Sequence, residues 1–389
     1  MRKMDKREYI RAIKDVIYLA YCGVNGKIPS SARVQKMDIS AVYEASQKHL
    51  LTAICAMSLE SAGIKDDRFT QASAKAIRRI IQMDIDRAQL FEHFEKENIW
   101  YMPLKGLLLK DLYPKYGMRQ MSDNDILFDS TRAEDVKRIM ESMGFTCGHI
   151  GRGNHDVYYK QPVSNFEMHT GLFPDTHIAL GLRDFIEYYK NVKERLIKDE
   201  NNACGYHFSI EDFYVFMTAH EYKHYSKGGT GLRSVLDTYV YLSKLGDKLD
   251  MQYIKTECKK LGMAEFESQS RSLAMNLFGA KKLTEENKQM LKYIAFSGTY
   301  GTIENKINNK VAKYGNSKLA KMKYMLGRLT IPLSEKNERY SAWKAYYYPW
   351  FYEKKYRIPL LFFYRFGKGL TVSRKKITQE IRILSKRNR

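Results

Sequence analysis

Apolar positions near the N-terminus recur at helical spacing. Ile10, Ile13, Val16, Ile17 and Ala20 share one helix face, and the stretches 38–62 and 67–98 repeat the pattern with few breakers. Polar linkers near 26–31 and 63–68 separate them. Residues 1–98 read as a helical cap or scaffold with no evident chemistry. The character changes at residue 99. A short apolar, partly β-favouring run (99–104) leads into Lys105-Gly106, a helical turn or two follows over 107–113, and Pro114 closes it. Residues 123–129 (DNDILFD) predict a strand, 132–143 an amphipathic helix ending at Gly144, and 155–160 and 165–170 two further strands broken by Pro162. So 99–172 is a small α/β unit between helical regions, and the fold class is α+β. Beyond it the spacing predicts helices over 182–197, 209–226, 231–245, 251–262, 264–279 and 284–296, which make 173–297 a helical domain. Residues 298–389 form a basic, aromatic C-terminal region. No fixed-period repeat stands out.

Composition narrows the classes. The 389 residues are 44% apolar and 28% charged, which is globular, and the net charge is +22, which favours anionic partners. Twelve Lys and Arg against two acids fall within 353–389, a net +10 in the tail alone. The opening MRKMDKREYIRAIK is charged throughout and does not read as a secretory signal. The apolar run 358–364 is far too short for a bilayer span. Five scattered cysteines without a CxxC pair argue against a disulfide framework or a cysteine zinc site. The expectation is a soluble, reduced, cytoplasmic protein.

The most informative chemistry is Asp123-x-Asp125. On a strand, residues i and i+2 share a face roughly 7 Å apart. Two carboxylates so placed suit a pair of divalent ions about 3.5–4 Å apart, as phosphoryl-transfer enzymes use. Alone, the motif is more often a solvated strand end. Its context is richer. Lys105-Gly106 lies upstream, where a glycine lets the backbone approach a phosphate. Downstream, Glu167 and His169 share a strand face and offer a third carboxylate, and hard oxygen ligands suit Mg²⁺.

The series Lys105-Gly106, Arg119, Asp123-x-Asp125 and Glu167-x-His169 resembles the uncharacterised bacterial nucleotidyltransferase family of the DNA polymerase β-like superfamily. The likeness continues into His220-x-x-Lys223-His224, Leu232-Arg233 and Asp237, with a weaker echo near 340–370 at Tyr348-Pro349 and Pro359-Leu-Leu before Arg365. It covers roughly 99–245. Two features depart from the superfamily pattern: its usual Gly-Ser or Gly-Gly turn is Lys105-Gly106, as in this family, and the residue between the aspartates, usually apolar, is Asn124. The resemblance implies a mixed-sheet nucleotidyltransferase core in which Asp123, Asp125 and Glu167 are catalytic and hold Mg²⁺. It implies that Lys105, Gly106, Arg119 and Ser122 bind a nucleoside triphosphate, with Lys110 or Arg132 as substitutes. His169, His220, Lys223, His224 and Arg233 become candidate substrate contacts. A nucleoside monophosphate would pass to an unidentified acceptor hydroxyl, releasing pyrophosphate.

Two features compete with that reading. His220-Glu221-Tyr-Lys-His224 matches HExxH on a predicted helix, so zinc on the histidines with Glu221 as general base is one interpretation. A helix lining the phosphate site, or one with a solvated polar face, is the other. The tail interleaves Trp350, Phe351, Tyr352, Tyr356, Phe362, Phe363, Tyr364 and Phe366 with Lys and Arg. That mixture fits single-stranded nucleic acid, an anionic membrane surface, or aromatics packed back on the body. A non-catalytic binding module with a nucleotidyltransferase-like fold is the alternative function.

Overall fold

A computed structural model describes residues 4–149, 154–174, 182–312, 315, 317–329, 348–357, 359–371 and 374–385. Asp5 and Glu8 cap α1 (Lys6–Val24) reciprocally. Then come α2 (Ser31–Val34), α3 (Ile39–Lys48), α4 (Thr52–Ser61) and α5 (Asp67–Lys96), the last capped by Asp66. The stretch 38–62 carries one helical pattern yet divides into two helices, because Leu50 turns the chain with φ 54°. The turn drives α4 into the interior, where Ala53, Ile54 and Cys55 are fully buried against its neighbours α1 and α5.

A five-stranded sheet follows. Its strands are β1 (Tyr101–Pro103), β2 (Asn124–Phe128), β3 (Thr146–His149), β4 (His155–Lys160) and β5 (Ser164–His169). The order is β1-β2-β5-β4-β3, with β2 and β5 parallel and the other pairs antiparallel, so the sheet is mixed. The four-residue edge strand β3 has no signature in the hydrophobic pattern. Between β1 and β2 lies the single turn α6 (Gly106–Leu109), and α7 (Ala133–Ser142) follows β2.

Alternation divides the sheet's two faces. Ile126, Phe128, Phe166, Met168, Tyr158 and Tyr101 pack against Ile80, Met83, Leu90 and Phe94 of α5 and against Val136, Ile139 and Met140 of α7. Asn124 is fully buried among them. It donates to the Met83 carbonyl (3.3 Å) and accepts from Arg87 (3.4 Å), which explains how a polar residue is tolerated there. The opposite face carries Met102, Leu104 and Leu127 into a second core, and beside them stand the carboxylates.

The remaining helices are α8 (Arg183–Tyr188), α9 (Ile210–Lys227), α10 (Leu232–Leu245), α11 (Met251–Lys260), α12 (Ala264–Phe278) and α13 (Glu285–Ser297). Five of these follow the predicted spans closely. The expected helix over 182–197 is instead the six-residue α8 and a 3₁₀ turn, Val192–Arg195. There Tyr188 and Arg195 both turn toward Glu257 of α11, at 2.5 and 3.4 Å. A third core joins the two ends of the family of helices: Val16, Leu19 and Ile54 pack with Leu232, Leu236, Leu273 and Ile294. His49 is buried in it, between the Tyr9 hydroxyl (3.2 Å) and the Leu232 amide (3.1 Å).

Beyond residue 300 come α14 (Ile303–Ala312), α15 (Lys318–Leu329), α16 (Pro349–Tyr352), α17 (Leu360–Leu370) and α18 (Arg374–Ser385). Among the described residues Trp350, Tyr356, Phe363, Tyr364 and Phe366 are substantially exposed. The first two residues of the tyrosine run 346–348 lie outside the described residues, as do the side chains of Tyr352 and Phe362. Among the described residues no helix is long and apolar enough to cross a membrane.

Candidate active site

Parallel pairing of β2 with β5 sets Asp125 directly opposite Glu167, on the face turned away from α5 and α7. Asp123 precedes the strand by one residue and faces the same way as Asp125. Three carboxylates thus converge in a largely buried place. Burial, and then the charges of Asp125 and Glu167, push Asp123 up to about 7. Burial and the Asp125 charge likewise raise Glu167 to about 7. Burial alone would raise Asp125 as well, but Lys105 and His169 outweigh it and hold that carboxyl well below the usual carboxylate range. Both contacts are direct: Lys105 Nζ lies 3.0 Å from Asp125 Oδ1, and His169 Nε2 lies 2.8 Å from the same oxygen.

Lys105 reaches this position on a strained backbone, with φ +44°, a conformation that costs of order 1–3 kcal/mol for a residue with a side chain. Burial disfavours its charge, yet Asp125, Asp123 and Glu167 overcome that and hold the ammonium above the ordinary lysine value. A second lysine arrives from α9. Burial, reinforced by Lys105, lowers Lys223 to about 7. His220, one turn earlier, is half-buried with Lys105, Lys223 and His224 near it, and desolvation together with those charges holds its imidazole well below its ordinary value. Burial lowers His169 to about 4 against the pull of Asp125, so a neutral ring donates to the carboxylate. The site therefore holds two aspartates, a glutamate, two lysines and a row of neutral histidines.

Other expected contacts are engaged elsewhere. Arg119 is buried in a bidentate pair with Asp237 of α10 (2.8 and 2.9 Å), and the Tyr113 hydroxyl donates to the same carboxylate (2.7 Å). Its guanidinium braces the segment before β2 against α10; it is not presented to solvent. Gly106 makes room for it, since a Cβ there would lie 2.6 Å from Arg119 Nη1. Arg233 is half-buried beside Arg119, whose charge adds to desolvation in lowering its pKa, and it donates to the Gln120 carbonyl at 3.0 Å. The Ser122 carbonyl accepts from Arg79 of α5, which also reaches Asn165 (2.8 Å). The helical scaffold therefore does touch the motif. Lys110 pairs with Asp84 and Asp111, and Arg132 with Asp135 at the far end of β2.

In the HExxH segment, His220 Nε2 and His224 Nε2 lie 3.3 Å apart, but Glu221 is turned into the interior toward Ser270 of α12 (3.2 Å). That orientation takes the carboxylate away from the role of a general base beside the histidines. One residue that the sequence reading passed over is His155. β4 pairs antiparallel with β5, so His155 stands opposite His169. Counting outward from the Lys160–Ser164 end of the hairpin gives this pairing.

A chain with this mixed sheet and carboxylate-lined face has the layout of a nucleotidyltransferase core. Residues 35–279 match the family described as an uncharacterised nucleotidyltransferase, and the chain belongs to that family. The match starts in the N-terminal helices and runs through α12, which is wider than the motif-bearing segment 99–245 and stops short of the C-terminal tail. No curated protein and no solved structure matches the chain.

Proposed function

We propose that the chain transfers a nucleoside monophosphate from a nucleoside triphosphate to an acceptor hydroxyl, with Mg²⁺ as cofactor and pyrophosphate as leaving group, in the cytoplasm and within the polymerase β-like superfamily. The observation that carries this reading is the register that sets Asp125 against Glu167, with Asp123 one step before the strand. Three carboxylates on one sheet face offer the hard oxygen donors that suit this cation. Two of three converging carboxylates sit at about 7, so Lys105 and His169 leave negative charge unmatched. Asp123, Asp125 and Glu167 would hold Mg²⁺, which when bound supplies positive charge to the triphosphate and the acceptor hydroxyl. The chain's own groups do the rest. Lys105, paired here with Asp125, would be free to meet phosphate if that carboxylate held the cation instead. Lys223 gains its proton as phosphate arrives, and His220 and His169 keep the pocket's walls uncharged. The exposed aromatics and charge of the tail suit an anionic partner, nucleic acid or membrane surface, near this reaction.

Titration gives the reading a test. Cation uptake needs Asp123 and Glu167 deprotonated, so it strengthens as pH rises through about 7. Phosphate contact needs Lys223 protonated, so it weakens as pH rises past about 7. Stabilisation by triphosphate with Mg²⁺ is thus expected to follow a bell centred near neutrality, and Lys223→Met should flatten its alkaline limb. Thermal unfolding with each of the four ribonucleoside triphosphates, with and without Mg²⁺, checks this. At a hundred times the dissociation constant the gain is about 2.7 kcal/mol, a shift of several degrees. No shift at any pH counts against the proposal.

A further inference from the structure

Beside the aspartates, a second set of donor atoms converges. His155 Nε2 and His169 Nε2 each lie 3.7 Å from Glu167 Oε2, and one ligand atom from each of the three residues falls within 4.8 Å of the others. Two adjacent antiparallel strands fix the set, because His155 is the register partner of His169. With metal–donor bonds of about 2.1 Å, neighbouring donors stand about 3.0 Å apart in an octahedral site and about 3.4 Å in a tetrahedral one. The observed spacings need only a small closure. The far sides of both rings are also occupied by the Asn154 amide: its oxygen accepts from Nδ1 of His155 (3.4 Å), and its nitrogen donates to Nδ1 of His169 (3.4 Å) and to the Gly171 carbonyl (2.7 Å). A ring that donates from Nδ1 to a fixed acceptor, as His155 does to the Asn154 oxygen, has the usual support behind a metal-binding histidine. His155 and Glu167 are 34% and 28% exposed, which leaves a way in from solvent, while His169 forms the buried wall at 5%.

We propose that His155, Glu167 and His169 form a site for a first-row transition dication. Two imidazoles and one carboxylate with open positions suit zinc-, manganese- or iron-class ions better than Mg²⁺, which prefers oxygen donors and water. Binding would take His169 in its other tautomer, with the Nε2 proton now donated to Asp125 moved to Nδ1 and the Asn154 amide turned to accept it. The site shares Glu167 with the magnesium set proposed above, so its test is chosen to fail separately.

Metal-free protein titrated with Co²⁺ alone should bind it with the visible absorption of a nitrogen-ligated ion. His155→Ala should weaken binding about 10–100-fold and change the spectrum, with far-UV circular dichroism unaltered. His155→Gln, which keeps the polar volume, should behave alike. Asp123→Asn, outside the set, should keep the Co²⁺ spectrum. A Co²⁺ titration that neither histidine variant alters overturns the site, even if triphosphate with Mg²⁺ still stabilises the protein. The imidazole signature lost in His155→Ala supports it, even if no triphosphate binds.

Discussion

Asp123→Asn and Asp125→Asn are each expected to lower nucleotidyl transfer by about a thousandfold or more, since each removes charge aimed at the reacting phosphate. Their stabilities should move in opposite directions. Asp123 sits at about 7 in the folded protein because burial and its carboxylate neighbours disfavour its charge, against about 3.9 in an unfolded chain. The folded state then binds the proton more tightly, so stability is lost as pH rises from about 4 to about 7, and the full loss persists above that. Asp123→Asn should therefore melt higher than the wild type at pH 8, and the gap should close as pH falls toward 4. Asp125 is the reverse case. Lys105 and His169 hold it below the carboxylate range, so its contribution is present above the unfolded value and lost in acid. Asp125→Asn should melt lower than the wild type at pH 8. Thermal unfolding of both variants at pH 8 and at pH 5 checks the signs; collapse of both folds would make the pair structural.

Arg119→Ala should be the most damaging single change to stability. It leaves Asp237 buried without its bidentate partner, and only the Tyr113 hydroxyl remains on that carboxylate. Breaking a buried pair on one side costs about 3–5 kcal/mol, a large part of the roughly 5–15 kcal/mol that holds a protein folded. The melting temperature should fall by on the order of ten degrees. Arg119→Lys should recover little, because an ammonium cannot match the two-point contact. Arg119→Met combined with Asp237→Leu should recover much of the loss, because no charge is then left unpaired. A variant that keeps its stability but loses triphosphate affinity would assign Arg119 to the phosphates instead of to the brace.

The helical regions were legible in the sequence wherever apolar spacing ran uninterrupted, as in α9 to α13, and the carboxylates stood out because alternation on a strand fixes their face. What stayed hidden depends on contacts distant in sequence. The break at Leu50 has no glycine or proline to announce it; it exists because α4 must enter the core. The pairing of Arg119 with Asp237 was hidden because the two lie 118 residues apart. The helical scaffold looked inert, yet Arg79 holds the Ser122 carbonyl and Arg87 and Met83 satisfy Asn124. Lys105 gave no local sign of its positive φ, which the antiparallel exit of β1 and the start of α6 impose together. His155 was recoverable in principle, since hairpin pairing places it opposite His169.

Nucleotidyl transfer itself is tested most directly by following the label. The protein is incubated with Mg²⁺, a cell extract as the source of acceptor, and each triphosphate labelled in turn at its α- or γ-phosphate. The expected result is α-label retained on a larger product, γ-label released as pyrophosphate, and neither in Asp123→Asn. Transfer of the γ-label with a diphosphate left behind, unchanged in that variant, would contradict it.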